Sequence, residues 1–363
     1  MKYRKITLVI TSLLVFAALV YGEPNDFKPV SSNDVNDVLN MIAAHIQDNY
    51  YRINTWEGEI ENTTYLWRHG QSAERAFREY MDNNEQAPEE IKQTLKGNHF
   101  FLVDSKKDNL LIRSAPVGKI TLLDIKTNRS YDSGLQRSEG TVITTPDYQI
   151  KCDPYRLHHV SKETIQRMAT KKPVSGNIVV VMGESDPRIA LKGRGLPVWF
   201  LLESMAKKGL GREGYSIKLE EKVNNGLVDY RLEIPGIDNG TAVGFFSMLF
   251  SGSKGFLVTD YELRDKAGNL QAKETTDFTL IDGIYLPARI HYAVYEANGK
   301  MKEDRTQVFK NMRVNKTIPE DSFTYKNLGL KDGDLFDNKI EGKKYKYQDA
   351  NLVPIAEPNK PPK

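Results

Sequence analysis

The stretch Phe256–Val314 constrains this chain more than any other. It reads as four strands, Phe256–Asp265, Leu270–Leu280, Tyr285–Glu296 and Met301–Val314. The connections are Lys266-Ala267-Gly268-Asn269, Ile281-Asp282-Gly283-Ile284 and Ala297-Asn298-Gly299-Lys300. Asn and Asp tolerate positive φ and Gly has no Cβ, so Asn-Gly or Asp-Gly between alternating runs marks a tight hairpin. Alternation gives each strand an apolar face. In the first strand Leu257, Tyr261 and Leu263 oppose Asp260, Glu262 and Arg264. In the third, Ala288, Ile290, Tyr292 and Val294 oppose Arg289 and His291, and in the fourth Thr306, Val308, Met312 and Val314 share a face that Lys310 interrupts. A sheet that is greasy on one side and wet on the other is antiparallel and covers something apolar.

The opening residues set the compartment. Lys2, Arg4 and Lys5 precede the apolar run Ile6–Val20 and the small-x-small site Val20-Tyr21-Gly22. This is the order of a secretory signal peptide over residues 1–22, and the run is short for a membrane span. The expectation is cleavage and a periplasmic mature protein, with no cysteine after the apolar run to carry a lipid. Those residues hold three of the 51 Lys and Arg and none of the 48 Asp and Glu, leaving 48 of each (51 − 3 = 48) and no net charge. A balanced chain without a basic run offers nothing to nucleic acid or to an anionic membrane surface. Cys152 is alone and forms no internal disulfide, so an exported fold of this size rests on its core, which the length can supply.

Residues 23–31 are polar with two prolines and read as a spacer. A helix follows, capped by Ser32 or Asn33, with Val35, Val38, Leu39, Ile42 and Ile46 in one stripe. Trp56–Trp67 reads as a strand, Ala73 to Met81 as a helix, and Pro88 opens a short helix through Leu95. Short strands then form a second meander: Phe100–Asp104, Leu110–Arg113, Lys119–Ile125, Ser130–Leu135 and Thr141–Thr144. Asp153-Pro154 opens a loop, Ser161 caps a helix carrying Ile165, Met168 and Ala169, and Ile178–Met182 is an apolar strand. Pro197 starts a helix, Val198-Trp199-Phe200-Leu201-Leu202 with Met205 and Ala206, whose apolarity on every side predicts burial all round. Tyr215–Leu219 and Leu227–Ile234 pair through Asn224-Asn225-Gly226. Ala242–Phe250 carries no charge and is either a buried strand or a flap offering Met and Phe to an apolar guest. Tyr345-Lys346-Tyr347 is a last edge strand, and 348–363 a disordered proline-rich tail.

Catalytic chemistry is hard to find. Gly209-Leu210-Gly211-Arg212-Glu213-Gly214 matches a dinucleotide fingerprint in letters, but it leaves a helix and enters a strand, the reverse of the required context. Gly183-Glu184-Ser185-Asp186-Pro187 lacks the second glycine of a nucleophile elbow. Gly252-Ser253-Lys254-Gly255 lacks the spacing of a phosphate loop. His158 and His159 are adjacent and point apart on an extended chain. Asp332, Asp334 and Asp337 depart from the calcium-loop spacing. The expectation is no catalytic residue, no metal and no cofactor. Sequons stand at Asn62, Asn128, Asn239 and Asn315.

The order of elements, together with the segment ETTDFTLIDGIYLPARIHY (Glu274 to Tyr292), resembles the outer-membrane lipoprotein-sorting proteins of the LolA/LolB-like superfamily. So does PEDSFTYKNLGLKDGDLFDNKIEGKKYKY (Pro319 to Tyr347), which is similar to its larger members. The resemblance covers roughly Val35 to Tyr347, and the greater length points to insertions near 70–100 and 150–200. It implies an α+β fold, an incompletely closed antiparallel half-barrel whose helices plug the concave face, as a single domain over 32–347. It also implies a monomeric, non-enzymatic protein holding lipoprotein acyl chains, or another hydrophobic ligand, in an apolar cavity without a cofactor. The rival reading uses the same scaffold as an envelope sensor that binds a protein partner. From the residues alone, the candidates for the cavity lining are Trp199, Phe200, Leu202, Met205, Phe245, Phe246, Met248, Phe250 and Tyr292.

Overall fold

A computed structural model describes residues 26–80, 85–114, 120–132, 140–145, 149–152, 187–192, 197–208, 217–238, 241–328, 330, 332–338 and 343–355. The strands are β1 (Lys28–Pro29), β2 (Thr55–His69), β3 (Glu90–Asp104), β4 (Asn109–Ser114), β5 (Thr121–Asp124), β6 (Ser130–Asp132), β7 (Gly140–Thr144) and β8 (Gln149–Cys152). They continue as β9 (Lys218–Asn224), β10 (Leu227–Asp238), β11 (Thr241–Ser251), β12 (Leu257–Asp265), β13 (Leu270–Ile281), β14 (Ile284–Tyr295) and β15 (Met301–Val314). A small C-terminal sheet contains β16 (Leu335–Asn338), β17 (Lys343–Gln348) and β18 (Asn351–Pro354). The described helices are α1 (Val35–Tyr51), α2 (Gln71–Tyr80), α3 (Ile189–Lys192) and α4 (Val198–Lys208).

One antiparallel sheet dominates, in the order β1-β9-β10-β11-β12-β13-β14-β15-β2-β3-β4-β7-β8, with β5 attached to β3 and β6 to β5. Its end strands do not pair with each other, so the sheet is open. It is also curled. Leu219 and Leu232 near one end and Val103, Leu110 and Ile112 near the other belong to one apolar layer with Leu39, Ile42 and Ile46 of α1. From β10 to β4 is eight strand spacings, about 38 Å if flat, whereas α1, with 17 residues, is about 25 Å long. A flat sheet of that width could not close on one helix. This is an α+β half-barrel with helices across its concave face.

The hairpin chemistry works as expected. Asn225 and Gly226 stand at φ 50 and 80, and Asp282 and Gly283 at 51 and 75. Behind the sheet, Phe323 and Leu328 lie on Leu102, Leu111 and Ile143, covering its outer face at β3, β4 and β7. Ala73, Ala76 and Phe77 of α2 pack on Ile91, Ile120 and Leu122.

Several expectations change. Pro88 does not open a helix: β3 runs back to Glu90 and pairs with β2 along its whole length, from Thr55 opposite Asp104 to His69 opposite Glu90. The helix propensities of Glu, Lys and Gln lose to that ladder, in which Ile91 and Gln93 alternate into the interior. The first helix is entered through Asp34 rather than Ser32 or Asn33. In β15 the buried residue is Phe309, not Val308; the register shifts between Lys310 and Arg313, with Asn311 at φ 51. An extra residue there flips the phase, so Phe309 and Val314 both reach the core despite their odd-to-even offset. Part of the supposed spacer is β1, which pairs with β9. The supposed tail begins with β18, which makes β17 a central strand rather than an edge. Residues 1–22, the helix expected after Ser161, the strand at 178–182 and the glycine run 209–214 lie outside the described residues.

Candidate functional site

Directly opposed residues of an antiparallel ladder point to the same face, so the register fixes what lines the concavity. One row crosses β9 to β3 as Leu219, Leu232, Met248, Tyr261, Glu274, Tyr292, Arg305, Thr64 and Leu95. A parallel row contains Ile234, Phe246, Leu263, Ala272, Val294, Glu303, Leu66 and Gln93. Along the first row the face is apolar over β9–β12 and polar from β13 to β2, whereas the second stays apolar through Ala272 and Val294. Toward α1 the apolar layer continues across every strand with Ile290, Phe309, Ile60 and Phe101. No single strand carries that division; it exists only across strands.

The apolar layer of this face, which spans β9 to β4, packs with α1 and α4. Asn49 fixes α1 by its side chain, which donates to the Tyr285 carbonyl at 3.0 Å and accepts from the Tyr285 amide at 2.8 Å. Trp199 of α4 packs its ring 5.0 Å from that of Tyr50 and 6.0 Å from that of Tyr51. Leu202 and Trp199 are buried in the layer with Met248 and Phe250. Met205, Met41, Met312, Leu201, Phe246 and Tyr261 pack against it while staying partly exposed.

Of the nine expected lining residues, six therefore gather here: Trp199, Leu202, Met205, Phe246, Met248 and Phe250. Phe200 does not; it is 55% exposed, so α4 is not buried all round. Phe245 faces the other way, into a hollow of about 550 Å³ on the outer face with Arg231, Glu233, Asp260, Glu262 and Lys273. Tyr292 is on the concave face, in the polar half. Ala242–Phe250 is a strand held between β10 and β12 rather than a free flap.

The polar half was not visible in the sequence, because its members come from five strands. Arg305 and Glu303 form an ion pair whose side chains keep only 13% and 20% of their exposure. Thr64, Gln93 and Thr276 are buried. Arg68 Nε donates to Gln93 Oε1 at 3.1 Å. Nearer α1, His99 follows the same phase, opposite Ile60; its Nδ1 lies 2.9 Å from Ser114 Oγ, and burial lowers its pKa, favouring the neutral ring.

His158, His159 and Gly183–Asp186 lie outside the described residues, whereas the run Gly252–Gly255 is described. Gly252 closes the β11–β12 connection, and its amide donates to Asp229 Oδ1 at 2.9 Å, so a carboxylate occupies the place a phosphate would need. Among the described residues, no group of three His, Cys, Asp or Glu side chains is set to hold a metal, and no helix is long and apolar enough to cross a membrane.

No protein-family model matches the chain, and no curated protein matches it. Solved structures do. A DUF1329 family protein from Desulfovibrio piger is 12% identical, with 80% of this chain and 98% of the other covered and a TM-score of 0.34. A LolA superfamily protein from Nitrosomonas europaea is 12% identical over 79% of this chain and 99% of its own, at a TM-score of 0.33. A domain named for outer membrane lipoprotein sorting, from Vibrio parahaemolyticus, is 11% identical over 79% and 97%, at 0.30. The last two carry the name of the superfamily that the sequence segments resemble. At these TM-scores the likenesses bear on no residue, and the half-barrel stands on the chain's own strand order and helix placement.

Proposed function

We propose that this chain is an exported, non-enzymatic binding protein that holds the acyl chains of a lipoprotein, or another hydrophobic ligand, between its open sheet and α1 and α4. The observation that carries the reading is the lining. Four of the nine methionines, Met41, Met205, Met248 and Met312, meet in one layer with Phe246 and Phe250. Unbranched thioether side chains repack around guests of varying shape where branched ones do not. Met41, Met205, Met312 and Phe246 are also only partly covered, so the layer's margin is apolar and reachable.

The dimensions suit an acyl chain. Leu219 to Tyr261 is three strand spacings, about 14 Å. Burying a chain of about a dozen carbons contributes roughly 8–10 kcal/mol at about 0.8 kcal/mol per CH₂, before the cost of ordering it. No charged constellation is needed for such binding. Delipidated protein mixed with bacterial lipid extract and sprayed under native conditions is expected to carry bound lipid; an unliganded spectrum across a broad lipid panel overturns the proposal.

A further inference from the structure

We infer that the ligand's polar end lies against Glu274, Tyr292, Arg305 and Glu303, and that it is an uncharged hydrogen-bonding head, an amide or a hydroxyl, rather than a free carboxylate. This rests on the carrier reading and adds the ligand's chemical class to it. One concave row is apolar for four strands, Leu219, Leu232, Met248 and Tyr261, and carries polar groups on the next four, Glu274, Tyr292, Arg305 and Thr64, while its neighbour stays apolar through Ala272 and Val294 and meets a charge at Glu303. An amphiphile laid along the first row has its tail over β9–β12 and its head at β13–β15.

The charge of the polar half selects among heads. Arg305 and Arg68 carry two positive charges on this face, and Glu303 and Glu274 two negative ones. The strip is neutral as it stands, and Arg305 is already paired with Glu303. A carboxylate brought in would be an uncompensated anion taken from water into a largely covered site, which costs several kcal/mol unless a counter-charge meets it. An amide or hydroxyl brings no such penalty, and it finds donors and acceptors together in Tyr292, Thr64, Asn62 and Gln307. These residues share the face through the pairing of Ile290 with Gln307 and of Gln307 with Asn62.

The test is displacement of a fluorescent apolar probe from the full mature chain at pH 8 by monolauroylglycerol, lauramide and laurate, which share one tail. The neutral pair is expected to compete at least about tenfold better than laurate, a difference of about 1.4 kcal/mol. Replacing both Glu274→Gln and Glu303→Gln removes the negative charges, and it should strengthen laurate at least about fivefold while leaving the glyceride within about twofold. Tyr292→Phe, which removes one hydroxyl and little else, should weaken the glyceride and not laurate. It keeps the assignment testable if the double variant does not fold. Laurate binding as well as the neutral heads in the wild type, or an unchanged preference in the variants, overturns the head assignment alone. Failure of the probe and all three amphiphiles to bind overturns the carrier reading with it.

Discussion

Asn315 ties three parts of the molecule with one amide. Its Oδ1 accepts from the Asn54 amide at 2.7 Å and from that of Thr55 at 3.4 Å, and its Nδ2 donates to the Arg52 carbonyl at 3.0 Å. Its φ of 54 lies in the left-handed region, where Asn is tolerated and Ala is not. Asn315→Ala should therefore cost about 2–4 kcal/mol, from lost hydrogen bonds and backbone strain together. Asn315→Gly should cost less, since only the hydrogen bonds go; urea denaturation of both separates the two causes. A glycan at this sequon would break the same contacts. Glu262 supplies a pH test. Burial raises its pKa, but hydrogen bonds from Arg264 at 2.7 Å and Lys273 at 3.0 Å outweigh that and lower it below 4.5. A carboxyl depressed by folding stabilises the fold above its unfolded pKa, and that contribution is lost as pH falls through the folded value. The stability gap between wild type and Glu262→Gln should thus be constant above about pH 5 and close below the ordinary glutamate range. A gap unchanged from pH 6 to pH 3 would show that the two cations contribute nothing through charge.

At the scale of an element, α4 divides its aromatic residues sharply. Trp199 is buried against Tyr50, Leu202 is wholly buried, and Phe200 between them stands in solvent. Trp199→Ala should cost about 3–5 kcal/mol, whereas Phe200→Ala should fall within about 0.5 kcal/mol. Equal losses would mean that the exposed face of α4 is covered in solution. The sequence announced this helix through Pro197 and its apolar run but not its facing, because a run apolar on every side has no phase to read. Hairpin turns were legible for the opposite reason: Asn225-Gly226 and Asp282-Gly283 state their own backbone geometry. The β3 strand was misread because its determinant is the distant β2 ladder. The face of β15 was misread at Asn311, where one inserted residue reverses an alternation that is otherwise regular. The candidate lining was legible where its residues cluster along two segments, 199–205 and 246–250, which the fold brings into one apolar layer. The polar half of the site was not, since Glu274, Tyr292, Arg305 and Thr64 meet only through three consecutive pairings across strands.

For the whole molecule, the question is which part of the chain the half-barrel needs. The stretch Ile318–Leu330 belongs to it: Phe323 and Leu328 are buried on Leu102, Leu111 and Ile143, which form the reverse side of the strands whose front carries Val103 and Leu110. The sheet β16–β18 has a different footing. The backbone hydrogen bonds from Gly333 to Tyr347, Tyr347 to Asp334 and Ile355 to Lys344 join it to itself, and Leu335, Val353 and Ile355 are exposed upon it. A small sheet of such short strands is marginal on its own and adds little to what it hangs from. Ending the chain after Leu330 should therefore leave the urea midpoint of the main transition nearly unchanged, within about 1 kcal/mol, with the slope barely altered because little packed surface is lost. Ending it before Ile318 uncovers a cluster of large apolar side chains on an otherwise polar face and should lower stability by about 4 kcal/mol or more. Equal damage from the two truncations would show that β16–β18 docks on the half-barrel and belongs to the same cooperative unit.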